Sequence, residues 1–268
     1  MLPIAGESAV LPRATHAAAG ETRTERRTVT VGSRTRKVFL VEPVVPPKEK
    51  LPVVIILHGD GGDGPDMHDD VPLEKASGAG AYLLYLSGIE GWDLETTNEN
   101  RDVAFARAAV EDLASRAPVD RDRVYAAGYS SGGFMANVIA CQAPGFLRAI
   151  ASYAGGAPYK QREKWSNGFT KCPGQKPTAM LAIHGSLDRG VTVDSGRFSA
   201  TYWSYVAGCS ADEVETTGFS ECHAYRGCAA GTSVVFCEVP GGTHWPLKAV
   251  WDQDHMTEAT WTFFERMR

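Results

Sequence analysis

No apolar run in the chain approaches the ~20 residues that a membrane-spanning helix requires. The longest strongly apolar stretch, Val53–Leu57, has the length of a strand, so a soluble chain with no membrane partner is expected. Positive charge is in deficit: 27 Lys and Arg stand against 32 Asp and Glu, a formal net charge of −5. A nucleic-acid-binding surface is basic, which argues against nucleic acid as a partner. No internal repeat and no linker divides the 268 residues. No Cys-x-x-Cys pair is present, which removes the zinc and thioredoxin-like readings on spacing. Cys222-His223 is the sole adjacent ligand-type pair; structural zinc wants close-spaced pairs, so no metal is expected there.

Six cysteines are present: Cys141, Cys172, Cys209, Cys222, Cys228 and Cys237, four of them within 29 residues. An even, crowded set reads as disulfides in an exported protein. Closeness in sequence alone suggests Cys222–Cys228 and Cys209–Cys237, leaving Cys141 with Cys172. The opening MLPIAGESAV lacks the basic n-region and apolar core of a secretory signal. The expectation of a secreted or periplasmic location therefore rests on the cysteines.

Residues 1–24 are rich in Ala, Thr and Gly without periodicity and read as a flexible N-terminal arm, followed by a single catalytic domain over 25–268. Arg27–Val31 and Arg36–Val41 alternate around Gly32-Ser33 as an antiparallel hairpin. Short apolar runs then alternate with helix-period segments. The runs are Val53–Leu57, Ala81–Leu86, Val124–Ala127, Ala149–Tyr153, Ala179–Ile183 and Ser233–Val239. The helical segments are 101–116, with Val103, Ala106, Val110 and Leu113 on one face, then Gly132–Cys141, Ser195–Ala207 and Asp254–Met267. This alternation predicts an α/β fold: a mainly parallel central sheet with an N-terminal antiparallel hairpin and helices on both faces.

The informative segment is Arg123–Asn137, which contains Gly128-x-Ser130-x-Gly132. The bare pattern is weak, and its context carries the meaning: a strand ends at Ala127 and a helical run begins at Gly132. Ser130 falls on the sharp turn between them, where the hydroxyl projects above the sheet edge. A serine hydroxyl is a poor nucleophile until a base takes its proton. The partners are expected in the order Ser, Asp, His, at the ends of later strands. Asp188, in His184-Gly-Ser-Leu-Asp188, is the candidate carboxylate, with Asp194 as second choice. His244, on the glycine-flanked Pro240-Gly-Gly-Thr-His244-Trp-Pro loop, is the candidate base. His184 is expected to hydrogen-bond within its turn, and His16, His223 and His255 carry no role.

An oxyanion needs donors aimed at it. One is expected from the Ser131 N–H. The second is expected from Asp60 N–H, or failing that Gly61, in the loop His58-Gly-Asp-Gly-Gly62; His58 reads as structural. Residues 60–70 hold five aspartates in eleven positions. Their spacing does not match a calcium loop, and a solvated acidic turn is expected.

With HGDGG, GYSSGG, HGSLD and GGTHWP in this order, the chain resembles the secreted esterases of the feruloyl-esterase/polyhydroxybutyrate-depolymerase group, which are carbohydrate esterase family 1-like. The match runs from about Val29 to the C-terminus and includes Gly91-Trp92-Asp93 and the segment Cys209–Cys237. The resemblance implies an α/β-hydrolase fold, a Ser130–His244–Asp188 triad and no cofactor. Its cysteine-rich segment implies a feruloyl esterase acting on hydroxycinnamoyl polysaccharide. A polyester depolymerase or acetylxylan esterase shares the same motifs. An inactive hydrolase-fold binding domain and a cytosolic small-ester or thioester hydrolase are the remaining alternatives. Flat phenolic acyl groups stack on aromatic faces. Tyr129 and Trp245 are the first candidates for that surface, followed by Trp92, Trp165 and Tyr159. A monomer is expected.

Overall fold

A computed structural model describes residues 20–210, 214–216, 219–245 and 251–267. Five consecutive apolar side chains can all be buried only where both faces of a strand are covered. Val53, Val54, Ile55, Ile56 and Leu57 are each 0% exposed, with Val53, Ile55 and Leu57 in one core and Val54 and Ile56 in the other.

The elements run β1 (Thr22–Val31), β2 (Arg34–Pro43), β3 (Leu51–Leu57), α1 (Gly64–Asp70), α2 (Glu74–Ser77), β4 (Tyr82–Leu86), α3 (Arg101–Ala114), β5 (Val119–Tyr129), α4 (Ser131–Gln142) and β6 (Ala149–Tyr153). There follow the two-residue strands β7 (Glu163–Lys164) and β8 (Thr170–Lys171), then β9 (Ala179–Gly185), α5 (Val193–Val206), β10 (Val214–Thr216), β11 (Cys222–Tyr225), β12 (Val234–Val239) and α6 (Gln253–Arg266). Ten strands form one sheet in the order β1-β2-β4-β3-β5-β6-β9-β12-β11-β10. The six central strands from β4 to β12 are parallel, and the N-terminal hairpin is antiparallel, as expected. A second antiparallel pair, β11 and β10, extends the opposite edge.

Helices α3, α4 and α5 cover one face. Val103, Ala106, Val110 and Leu113 of α3 all enter that core, as their spacing predicts. Asn137, fully buried on α4, accepts hydrogen bonds from Ser199 Oγ (3.1 Å) and Trp203 Nε1 (2.7 Å), locking α4 to α5. Met67 of α1 and Met256, Ala259, Phe263 and Phe264 of α6 fill the other core.

Three expectations require correction. Thr22–Thr24, read as arm, are already in β1 opposite Pro43–Val41, while residues 1–19, including His16, lie outside the described residues. The stretch 64–70, read as an acidic turn, is α1. Asp63 accepts from Asp66 N–H and Asp66 accepts from Asp63 N–H, a reciprocal capping box that uses two of the aspartates to start a helix. The cysteines pair as Cys141–Cys172, Cys209–Cys228 and Cys222–Cys237, so only the first pairing was anticipated. The antiparallel register of β11 and β12 sets Cys222 directly opposite Cys237. Ser210 N–H to Arg226 O and Ala229 N–H to Ala207 O, both 2.8 Å, bring the end of α5 alongside the segment after β11 and join Cys209 to Cys228. Loops of 31, 19 and 15 residues are closed, each worth about 3–4 kcal/mol by chain entropy.

Candidate active site

The sharp turn expected at Ser130 is present, and its backbone lies in the left-handed region, φ 51° and ψ −119°. Such a conformation costs about 1–3 kcal/mol in a non-glycine residue and persists only where its surroundings enforce it. The Ser130 N–H is tied to Tyr153 O at the end of β6 (2.8 Å). The flanking glycines make room for the turn. A Cβ on Gly128 would stand 2.3 Å from Gly132 O, and one on Gly132 would stand 2.2 Å from Leu57 O and 2.5 Å from His58 O. The start of α4 therefore presses directly on the end of β3.

A serine at a helix N-cap normally bonds its own first turn. Ser130 makes no such bond. Its Oγ lies 3.0 Å from His244 Nε2, and His244 Nδ1 lies 2.9 Å from Asp188 Oδ2. His244 arrives because the loop after β12 is zipped to the loop after β9. Ser186 N–H bonds Val239 O (3.0 Å), Leu187 N–H bonds Gly242 O (2.8 Å), and Gly241 N–H bonds Ser186 Oγ (2.9 Å). The imidazole then lies on Gly190, where a Cβ would come within 3.0 Å of the ring. The second-choice carboxylate, Asp194, is exposed on α5 and pairs with Arg197 at 3.0 Å. Asp188, and not Asp194, meets the histidine.

The loop after β3 approaches the same point. A Cβ on Gly59 would be 3.4 Å from Ser130 Cβ and 2.7 Å from the Tyr129 ring. Asp60 is exposed in a turn closed by Gly62 N–H to Gly59 O (3.2 Å), with Gly61 at φ 79°. Ser131 supplies the first N–H of α4. His58 braces the loop, as read from sequence. Its Nδ1–H donates to Gly59 O (2.7 Å), while Nε2 accepts from Gly88 N–H (2.8 Å). Burial lowers the pKa of His58, keeping the neutral form that this donor–acceptor pattern needs.

The aromatic candidates divide. Tyr129 is half-buried and meets Trp245 edge-on at 3.9 Å and His244 at 5.3 Å. Its phenol is pushed up to about 12 by burial, with the Asp188 and Asp70 charges adding to the shift, so it stays a neutral donor. Tyr159 is half-buried and edge-on to Phe134 (5.9 Å), four residues from Ser130. Trp92 lies deeper. It is only 8% exposed, lies on His58 at 4.8 Å and donates its indole N–H to His58 O at 2.8 Å, so it supports the loop from behind. Asp93 N–H is held in turn by buried Asp102 (2.7 Å), which pairs with buried Arg36 (2.7 Å). Trp165 has different neighbours. It packs on Tyr205, 5.8 Å away near the far end of α5, with the Lys171 ammonium 5.2 Å from its ring. Twelve residues at ~1.5 Å each put Tyr205 roughly 18 Å along that helix from Val193, the end nearer Asp188.

Residues 91–171 match the prolyl oligopeptidase family. Among solved structures, an acetyl xylan esterase from Aspergillus awamori superposes with TM-score 0.63 at 18% identity, covering 89% of this chain and 100% of that one. A Pyrococcus horikoshii acylaminoacyl peptidase gives 0.61 at 17%, covering 92% of this chain and 42% of that one. The chain has the α/β-hydrolase fold. In sequence, the chain is 38% identical over 175 residues to a Nocardia uniformis subsp. tsuyamanensis protein whose name proposes it as an esterase, covering 62% of this chain and 48% of that one. It is 27% identical over 215 residues to feruloyl esterase B of Piromyces equi, covering 72% and 39%. It is 29% identical over 203 residues to feruloyl esterase D of Neurospora crassa, covering 73% and 64%. The resemblance to feruloyl esterases carried by the four motifs therefore extends along most of the chain. The chain spans about half or less of the length of the first two of these curated relatives.

Two features of the site were not anticipated from sequence. His184, expected to bond within its turn, also lies 3.1 Å from Asp188 Oδ2. Gly190, beside His244, serves as a platform for the imidazole. The glycine itself was the available signal, since a ring can rest on backbone only where no Cβ intervenes.

Proposed function

We propose that the chain is a serine carboxylic-ester hydrolase, and specifically a feruloyl esterase that releases hydroxycinnamates from plant cell-wall polysaccharide. One observation carries the reading: the Ser130 hydroxyl, released from helix capping, is joined to His244 and through it to Asp188 by contacts of 3.0 and 2.9 Å. In the first step Ser130 Oγ attacks the ester carbonyl while His244 Nε2 takes its proton. Asp188 holds the ring in the tautomer with Nδ1–H and stabilises the imidazolium. The N–H groups of Ser131 and Asp60 receive the oxyanion. His244 then protonates the leaving sugar alcohol, and the acyl-enzyme is hydrolysed by a water that His244 activates. Tyr129 and Trp245 offer ring surface beside the nucleophile and base for a flat phenolic acyl group. The feruloyl esterase names of the relatives favour the same substrate class. The three disulfides favour work outside the cytoplasm.

Hydrolysis of methyl ferulate, p-nitrophenyl acetate and a hydroxybutyrate oligomer by wild type and Ser130→Ala tests this. The expected result is preference for the ferulate and a loss of about a thousandfold or more in the variant. Cleavage of only the acetate or the oligomer would keep the chemistry and replace the substrate. Wild-type activity in Ser130→Ala would remove the catalytic reading altogether.

A further inference from the structure

We propose that His184 is a positioning residue: its Nε2–H, anchored on the Val191 carbonyl and standing 3.1 Å from Asp188 Oδ2, holds that carboxylate in the orientation that meets His244. The inference rests on the reading of Ser130, His244 and Asp188 given above.

The Asp188 side chain is 0% exposed. A buried carboxylate keeps one orientation when fixed donors occupy its lone pairs. Oδ1 accepts Gly190 N–H at 2.8 Å and Val191 N–H at 3.0 Å. Oδ2 meets His244 Nδ1 at 2.9 Å and His184 Nε2 at 3.1 Å. Without His184, Oδ2 would depend, among the described residues, on His244 alone, a ring that is 33% exposed and changes charge in every cycle.

The proton on His184 has one place to be. Nε2 faces two acceptors, the Asp188 carboxylate and Val191 O at 2.7 Å. Nδ1 is buried without a hydrogen-bond partner among the described residues, and a Cβ on Gly196 would stand 2.5 Å from it. The ring is therefore the neutral tautomer protonated at Nε2, and burial, which lowers its pKa, holds it there. The titratable groups facing it are Asp188 and His244; Gly196 presents only backbone. A neutral N–H edge beside Oδ2 steadies Asp188 without competing for its charge, which stays available to the imidazolium of His244. Glycine at 196, in the first turn of α5, is what lets the ring lie against that helix.

The test measures kcat, KM and melting temperature for p-nitrophenyl acetate with His184→Leu, which has no donor, and His184→Gln, which restores an N–H. Each is made in the wild-type and the Asp188→Asn backgrounds, with Ser130→Ala as control. A displaced catalytic carboxylate is expected to lower kcat by about 10- to 100-fold with KM little changed. His184→Gln should recover part of the loss, and in Asp188→Asn the Leu substitution should cost less than about twofold more. If His184→Leu does not fold, Gly196→Ala perturbs the ring with the histidine intact and should lower kcat in the same way. Unchanged kcat in the folded variants, no rescue by Gln, or a full Leu penalty in Asp188→Asn would each reduce His184 to packing. An active Ser130→Ala would instead overturn the catalytic reading itself, so the two failures are distinguishable.

Discussion

Gly132→Ala adds a single methyl group at the junction of β3 and α4. That carbon would land 2.2 Å from Leu57 O and 2.5 Å from His58 O, where real Cβ contacts essentially never fall below 3.0 Å. Both neighbours are backbone, so no side chain can swing aside. Opening the closer contact to 3.0 Å moves the end of β3, or the start of α4, by about 0.8 Å. Overpacking of this kind costs about 1–3 kcal/mol. For a chain of this size each kcal/mol lowers the melting temperature by about 2–4 °C, giving a total of roughly 2–12 °C. The same displacement separates Ser130 from the loop that carries Asp60, and a shift near 1 Å in a catalytic geometry can cost about 100-fold in rate. Differential scanning calorimetry and kcat/KM on p-nitrophenyl acetate measure the two effects. A Gly132→Ala protein with wild-type melting temperature and wild-type kcat/KM would refute the argument that glycine is required there by contact.

Trp92→Phe removes the 2.8 Å bond from the indole N–H to His58 O while keeping a ring against His58. Leaving that carbonyl unpaired should cost about 1–3 kcal/mol in urea unfolding and slow ester hydrolysis without a matching rise in KM; an unchanged midpoint would contradict the support role. His68 is half-buried and bonded to Glu74 at 2.7 Å. Burial opposes its protonation, but the Glu74 bond and charge, with Asp69, prevail and raise its pKa. The stability it contributes is then fully present below its unfolded value of about 6.5 and is lost as pH rises through the raised folded value. His68→Gln should therefore be destabilised at about pH 5.5 and converge on wild type near pH 9, and a gap independent of pH would exclude this linkage.

Much of this architecture is legible in local pattern. Val103, Ala106, Val110 and Leu113 recur at helical spacing, and all four enter the core. The apolar runs ending at Leu57, Tyr153 and Val239 mark β3, β6 and β12 almost to the residue. Ser130, Asp188 and His244 could be named as candidates because each follows such a run in a turn rich in glycine, and the chemistry of a turn is written in its own few residues. The helix α1 was obscured by its charge, although Asp63, Pro65 and Asp66 are a helix-start signal in their own right.

What sequence could not supply depends on which elements become neighbours. Cys222 faces Cys237 because β11 and β12 pair in one register, and proximity along the chain carries no register. Trp92 lies behind His58, 34 residues away, and Trp165 lies against the far end of α5. Their residue type predicts stacking but not the partner. His184 and Asp188 stand four residues apart, yet their contact forms only where Gly196 of α5 admits the ring and β12 delivers His244 beside it. Sequence periodicity and turn chemistry determined the elements and the order of the candidate groups. Tertiary packing alone, through backbone contacts at Gly128, Gly132 and Gly185 that exclude even a methyl group, decided how closely those groups meet.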